Sequence, residues 1–154
     1  MSWAIEETRD IAACRALRRI VFIEEQGVPE ADEIDDLDEV AVHLLARVGG
    51  QPAGSARLLV QGSTGKIGRV CVLAPLRGTG LGAALVRAGV ARLAAEPGVE
   101  RVKLGAQTHA LGFYERLGFQ AVGPEYLDAG IRHRDMVLTL PPRGVPARDM
   151  VSTQ

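Results

Sequence analysis

Two patterns of apolar and polar residues occupy the first part of the chain, one typical of a strand and one typical of a helix. Residues 4–7 alternate as a short strand does, and we expect a strand there. Apolar residues then recur at helical spacing, which predicts a helix over 11–22. Residues 24–39 show neither period, so we expect a loop there with at most a short helix.

The rest of the chain alternates apolar runs with turn residues. Strands are expected at 40–48, 53–60, 67–73, 101–106, 119–122 and 133–140. Two helices are expected, one from the glycine-rich turn near residue 80 to about Ala95 and one from Thr108 to Leu117. The order β-α-β-β-β-α-β-α-β-β predicts a mixed α/β chain. We expect a single domain over 1–140 and a flexible tail over 141–154.

Composition narrows the classes of protein that the chain can belong to. The chain has 154 residues and a net charge of −1, so its overall charge does not indicate binding to nucleic acid. The first residues lack the pattern of a signal peptide, and no apolar run is long enough for a membrane helix. Cys14 and Cys71 are expected to be buried free thiols, which fits a reducing cytoplasm. No Cys/His pair has the spacing of metal ligands, so no metal is expected.

The most informative segment is the junction between the strand at 67–73 and the helix after it. Pro75 ends the strand, and Gly78, Gly80 and Gly82 follow at alternate positions. Such a turn presents unpaired N–H groups at the positive end of a helix dipole, which suits a pyrophosphate. Two other interpretations stay open from the residues alone. In the first, residues 78–83 satisfy the dinucleotide-binding fingerprint G-x-G-x-x-A, although the next strand lacks the acidic residue that would hold a ribose. In the second, the segment is a glycine-rich turn that binds no ligand.

In this turn and in a later segment, the sequence resembles the GNAT superfamily of N-acetyltransferases. Arg77, Gly80 and Gly82 match the Q/R-x-x-G-x-G/A signature, and the segment 110–119 is similar to the A-x-x-F-Y-x-x-x-G-F helix. The segments 21–29 and 104–109 further resemble the ElaA-like branch. The resemblance covers about residues 15–140. It implies the acyl-CoA N-acyltransferase fold, a mixed and mostly antiparallel sheet splayed between its fourth and fifth strands and flanked by helices.

The resemblance also implies an acetyl-CoA site. Tyr114 would face the thioester sulfur as the general acid, because a phenol stays protonated at neutral pH. Many members of the superfamily carry Asn where this chain has Gln107, which leaves that contact open. The cofactor-binding residues that the resemblance implies are Val70, Cys71, Val72, Arg77, Gly78, Thr79, Gly80, Leu81, Gly82, Ala83, Gln107 and Phe113.

The expected activity is transfer of an acetyl group from acetyl-CoA to a primary amine of a small molecule. A homodimer is left open, and a non-catalytic acyl-CoA sensor is the alternative function. The amine must lose a proton before it attacks. Glu25 is the first candidate for the base, followed by Asp35, Asp38 and His43, whereas His109 and His133 are expected to be structural.

Nine carboxylates lie between Glu24 and Glu39, and no Lys or Arg occurs from Ile20 to Ala46. This suggests a strongly negative surface beside the acceptor cleft, which would attract cationic amines. An acidic solubilising surface is the alternative interpretation.

Overall fold

Seven strands form one sheet in the computed structural model, which describes residues 2–142. The strands are β1 (Trp3–Thr8), β2 (Val42–Val48), β3 (Gln51–Gln61), β4 (Thr64–Val72), β5 (Arg101–Gln107), β6 (Gln120–Asp128) and β7 (Ile131–Thr139). The helices are α1 (Ile11–Arg18), a π-helical continuation (Arg19–Glu25), α2 (Glu30–Glu33), α3 (Leu81–Ala94) and α4 (Leu111–Arg116). Short 3₁₀ turns lie at Ala74–Leu76 and Thr108–Ala110.

The strand order is β1-β2-β3-β4-β5-β7-β6, and each neighbouring pair is antiparallel except β4 and β5. The parallel pairing of β4 with β5 joins only Thr64–Lys66 to residues 101–103. Beyond this point the two strands separate, while β5 stays paired with β7 along its whole length. The expected mixed sheet, splayed between the fourth and fifth strands, is confirmed.

Helices cover both faces of the sheet. Successive strand residues point to opposite sides, so each face contributes to its own apolar core. Leu44 and Ala46 of β2 pack into the larger core with α3, whereas Leu45 packs with α1. Cys14 and Cys71 also lie in the α1 core and are free thiols, as expected. Burial raises the pKa of the Cys14 thiol to about 11, so it stays protonated and packs as a small apolar group.

Several boundaries differ from those that the sequence predicts. The helix predicted over 11–22 is α-helical only to Arg18 and then continues as a π-helix. The strand predicted from residue 40 begins at Val42, since the N–H groups of residues 40 and 41 both bond back to the Leu37 carbonyl. The last two strands are longer than predicted. β6 continues past Pro124, which an edge strand tolerates at a break in register. The tail expected over 141–154 lies outside the described residues from residue 143 onward.

A buried network of arginines and carboxylates fastens the segment after α1 to the sheet. Arg18 is 1% exposed, and its guanidinium donates to Glu33 at 3.0 and 3.1 Å and to Asp38 at 2.8 and 3.1 Å. Arg57 of β3 also donates to Asp38, at 3.1 Å. His43 donates from Nε2 to the Asp38 carbonyl at 2.7 Å. α1, α2 and β3 are therefore held together through charged groups that are withdrawn from water.

The first prediction concerns Asp38, which is 2% exposed. Burial alone would raise its pKa, but hydrogen bonds from Arg18, Arg15 and Arg57 outweigh burial and hold the pKa well below its usual range. Asp38→Asn leaves buried guanidinium groups without their counter-charge and should lower the free energy of unfolding by about 3–5 kcal/mol at pH 7. Urea unfolding measures the change.

The acid dependence of stability follows from the same lowered pKa. The contribution of Asp38 is fully present above the ordinary carboxyl pKa of about 4 and is lost progressively as the pH falls below it. The difference between wild type and Asp38→Asn should therefore shrink from pH 7 to pH 3. Asp36→Asn is the matched control, because Asp36 is exposed and should change stability by less than about 0.5 kcal/mol. Equal unfolding curves for the two variants would contradict the prediction.

Candidate active site

A cavity of about 390 Å³ opens where β4 and β5 separate. Its walls come from five parts of the chain: the segment after α1, β4, the end of β5 with the turn after it, α4, and the β6–β7 hairpin. The π-helical continuation of α1 brings Phe22 to one wall, and Gln26 follows it. Segments of π-helix are frequent at functional sites because they redirect side chains. The cavity thus lies in the splay that is expected to hold the cofactor.

A bulge in β4 forms one side of this cavity. Arg69 and Val70 together face the single residue Ala56 of β3, and Arg69 has a φ of 52°. For a residue other than glycine this left-handed backbone conformation costs about 1–3 kcal/mol and persists only where the surroundings hold it. Arg69 is held: its Nε donates to the Glu33 carboxylate at 2.8 Å and its Nη2 donates to the Glu33 carbonyl at 3.1 Å. A bulge bends the strand that carries it, and Val70 at this bend lines the cavity.

The other two β4 residues of the predicted cofactor site differ in orientation. Cys71 is 3% exposed and packs in the α1 core, with its Sγ 3.3 Å from Ser55 Oγ. Only its backbone can meet a ligand in the splay. Val72 is half-buried, and its carbonyl accepts a hydrogen bond from Arg77 Nε at 3.0 Å.

The turn before α3 has the geometry expected of a phosphate-binding site. Gly78 and Gly80 have φ angles of 79° and 96°, which side chains other than glycine rarely adopt. Gly80 precedes the helix, no side chain caps the first turn, and the Gly80 carbonyl receives its hydrogen bond from Ala84. The N–H groups at positions 81–83 consequently have no acceptor within the described residues. The Leu81 side chain is buried in the core, and Thr79 Oγ1 donates to the Leu76 carbonyl at 2.5 Å.

Arg77 and Glu25 form an ion pair at the rim of this turn. Nη2 of Arg77 donates to Glu25 Oε2 at 2.6 Å. Glu25 does not line the cavity, and its carboxylate is engaged by the guanidinium. The structure therefore places Glu25 beside the predicted pyrophosphate turn, and its predicted role as the base stays a prediction.

Tyr114, the predicted general acid, lines the cavity. Its ring packs edge-to-face on Phe113 at 4.9 Å and on Phe119 at 6.1 Å between ring centroids. Burial raises the pKa of Tyr114 to about 12, because the charged phenolate is disfavoured away from water. Phe113 also lies beside the α3 turn, 3.6 Å from where a Cβ on Gly82 would stand. The phenol stays protonated and can act as a donor.

Gln107 lines the cavity and takes part in a short chain of hydrogen bonds. Its amide nitrogen donates to Gln26 Oε1 at 3.0 Å, and its amide oxygen lies 2.8 Å from His109 Nε2. Gln107 thereby connects β5 to Gln26 in the segment after α1, and both residues line the cavity.

The structure also brings Arg69, Tyr126, His109 and His133 into the cavity wall, and sequence reasoning missed all four as site residues. The predicted final strands left positions 123–132 unassigned and hid the hairpin that carries two of them. The two-residue loop at its tip, Ala129-Gly130, gave only a weak signal, since such loops favour Asn-Gly, Asp-Gly or Gly-Gly.

The structure corrects the expectation of an open negative surface over residues 24–39, all of which are described. Arginines from outside this stretch form ion pairs with five of the nine carboxylates. The pairs are Glu25 with Arg77, Glu30 with Arg19, Glu33 with Arg18 and Arg69, Asp35 with Arg57 and Arg69, and Asp38 with Arg15, Arg18 and Arg57. Asp35, Asp38 and His43, the other candidate bases, belong to this network or contact it. They do not line the cavity.

Among residues 2–142, no group of three or more His, Cys, Asp and Glu side chains is arranged to hold a metal ion. None of the helices described there is long and apolar enough to cross a membrane.

Comparison with known proteins agrees with the class that this fold and site define, the acyl-CoA N-acyltransferases. Residues 22–140 match the acetyltransferase (GNAT) domain family. The Bacillus subtilis protein YyaT is 42% identical over 127 residues, which cover 80% of this chain and 85% of that protein. Bacillus subtilis YjcF, described as an uncharacterized N-acetyltransferase, is 37% identical over 79% of this chain and 86% of its own length.

Solved structures show the same architecture. An acyl-CoA N-acyltransferase from Pseudomonas aeruginosa is 33% identical, with a TM-score of 0.78 over 89% of this chain and 98% of the other. Escherichia coli ElaA is 29% identical, with a TM-score of 0.77 over the same shares. The chain belongs to the GNAT acetyltransferase family, and the similarity to ElaA supports its place in the ElaA-like branch.

The dinucleotide-binding alternative is excluded by the fold. That fold needs a largely parallel sheet, whereas the sheet of this chain is mostly antiparallel.

The second prediction tests the burial of the Tyr114 hydroxyl. The chain has two tyrosines, and both pKa values are raised, that of Tyr126 by burial and by its hydrogen bond to Asp135. The folded protein should therefore show almost no phenolate absorbance at pH 10, where an ordinary tyrosine is about half ionised. Tyr114→Phe should remove the ionisation near pH 12, and denatured protein should titrate near pH 10. A phenolate that forms near pH 10 in the folded wild type and vanishes in Tyr114→Phe would contradict the assignment.

Proposed function

We propose that this protein transfers the acetyl group of acetyl-CoA to a primary amine of a small molecule. The observation that carries the proposal is the convergence of three features on one splay: the unpaired N–H groups at the start of α3, the bulged edge of β4, and Tyr114. A Bacillus subtilis acetyltransferase of the same fold, with a TM-score of 0.69, has been crystallised in complex with CoA. This supports a CoA donor for the present chain.

The residues present fit such a donor. The N–H groups of positions 81–83 and the guanidinium of Arg77 can bind a pyrophosphate, since both present donors to negative oxygens. The separated edges of β4 and β5 leave backbone groups near Val70 and Val72 that can pair with a pantetheine arm. When bound, the thioester supplies an activated acetyl group.

The chemical roles of the residues follow from their positions. A backbone N–H at the β4 bulge can stabilise the tetrahedral oxyanion, because it is fixed before the reaction begins. Tyr114 holds a proton that it can donate to the departing thiolate.

A sensor that binds acyl-CoA without turnover needs neither the oxyanion donor nor the acid. Release of free thiol with a panel of primary amines therefore separates the two functions. Binding of acetyl-CoA with no thiol release on any amine would favour the sensor.

The third prediction tests the phosphate turn. Arg77→Ala removes a charge-assisted contact and should weaken acetyl-CoA binding by about 1.5–3 kcal/mol, measured by calorimetry. Gly80→Glu should abolish binding, because a side chain is strained at φ 96° and its carboxylate repels phosphate. Arg87→Ala is the matched control, since Arg87 is an exposed arginine farther along α3. Unchanged affinity in both Arg77→Ala and Gly80→Glu, with circular dichroism showing folded protein, would refute the site.

The fourth prediction tests Tyr114 as the acid. Tyr114→Phe keeps the ring and its edge-to-face contacts but removes the proton donor. We expect kcat to fall by roughly 10²–10⁴ while the affinity for acetyl-CoA is unchanged. Thiol release and calorimetry on the same preparation give both quantities. Normal turnover in this variant would make Tyr114 a core residue.

A further inference from the structure

The proposed reaction requires a group that takes a proton from the acceptor ammonium, and Glu25 does not reach the cavity. The carboxylate, tyrosine and histidine side chains that do line it, apart from Tyr114, are Asp32, Glu33, His109, Tyr126, Asp128 and His133. Glu33 is already bound by Arg18 and Arg69. Asp32 and Asp128 are exposed carboxylates, and the pKa of Tyr126 is raised. The two histidines remain.

The hydrogen bonds of the two histidines set them apart. Nδ1 of His133 lies 2.7 Å from the Ile131 carbonyl. A carbonyl can only accept, so Nδ1 of the neutral ring carries the proton and Nε2 keeps its lone pair. His109 has the opposite arrangement, since its Nε2 donates to the Gln107 amide oxygen at 2.8 Å. His109 is also exposed, whereas His133 is half-buried.

The position of the His133 ring is fixed by the hairpin that carries it. The ring of Tyr126 stacks on it, with centroids 5.9 Å apart and planes inclined by 19°. Tyr126 is held in turn by its hydroxyl, which donates to Asp135 at 2.7 Å. The hydroxyl stands 2.5 Å from where a Cβ on Gly105 would be, so only glycine at position 105 permits this arrangement. The imidazole is therefore oriented before any substrate arrives.

His133 also lies at the end of the sheet where the cavity opens. In the β5–β7 register it faces Gln107, the last residue of β5. It shares the cavity with Tyr114, which comes from α4. A base on the hairpin and an acid on the helix can therefore both reach a substrate bound in this cavity. Nε2 of His133 has no hydrogen-bond partner among residues 2–142.

We propose that Nε2 of His133 is the general base, which accepts the proton that the acceptor ammonium loses before attack; this rests on the proposed function. The freed amine nitrogen forms a bond to the thioester carbonyl carbon, and the C–S bond breaks as the tetrahedral intermediate collapses. The thiolate takes the Tyr114 proton, and the second proton of the amine nitrogen restores the phenol. The imidazolium releases its proton to solvent, so one proton leaves per acetyl group transferred.

The test uses His133→Asn, because the Asn amide can still donate to the Ile131 carbonyl but offers no imidazole lone pair. Acetyl-CoA and a panel of primary alkylamines are the probes, and thiol release is measured from pH 7 to pH 9. At pH 7 we expect kcat/KM to fall by roughly 10²–10⁴-fold. The variant must then wait for amine that is already neutral, so its kcat/KM should rise about tenfold per pH unit, since alkyl ammonium groups titrate near pH 10. The wild type should be nearly level over this range, in which Tyr114 stays protonated.

Three outcomes would overturn the inference, and they are distinguishable. A His133→Asn profile that is lower than the wild type but parallel to it would indicate a structural role. The matched control His109→Gln should keep the level profile whatever its absolute rate, and a rising profile in that variant alone would move the role to His109. ¹⁵N NMR of the free protein, which needs no turnover, should show the Nδ1–H tautomer of neutral His133, and the Nε2–H tautomer would contradict the geometry. Wild-type protein that releases no thiol with any amine would refute the proposed function itself.

Discussion

The separation of β4 from β5 is the constraint on which the rest of the site depends. Parallel pairing stops after Lys66, and the bulge at Arg69 follows three residues later. A bulge increases the local twist of a strand and turns it away from its neighbour. Backbone groups on both sides of the gap then lack ladder partners, and buried groups of this kind need others. A long, thin ligand with its own donors and acceptors satisfies this need better than a side chain does.

The buried ion pairs explain how a strained bulge can persist. Arg69 is fixed by Glu33, Glu33 is fixed by Arg18, and Arg18 also binds Asp38. Removing charges from water costs several kcal/mol per ion, so such a network is weak evidence for added stability. Its effect here is geometric. It connects the segment after α1 to the β4 bulge, and both of these line the cavity.

Local signals in the sequence predicted the parts of the fold that local physics determines. The turn before α3 was predicted because glycine spacing and the helix after it are neighbours in sequence. The partners of the acidic stretch could not be predicted in this way, since Glu33 meets Arg18 from 15 positions away and Arg69 from 36. Counting charges along the chain gave a negative surface, whereas packing placed arginines from α1, β3 and β4 on it. The ion pair of Glu25 with Arg77 could not be predicted for the same reason, because the two residues lie 52 positions apart.

The tautomers of the two histidines could not be predicted from the sequence either. Nothing in the sequence distinguishes His133 from His109, since the difference between them is which ring nitrogen meets an oxygen acceptor. For His133 that acceptor is the carbonyl of Ile131, two residues earlier on the same strand, and it is brought into place by the hairpin turn. The turn holds Ala129 at a φ of 53°, a conformation that is strained for alanine and is followed by Gly130 at 77°. A tight hairpin with these angles matches the twist of its strands. The backbone of the β6–β7 hairpin thus selects the tautomer of His133, in which the lone pair stays on Nε2 of a half-buried ring.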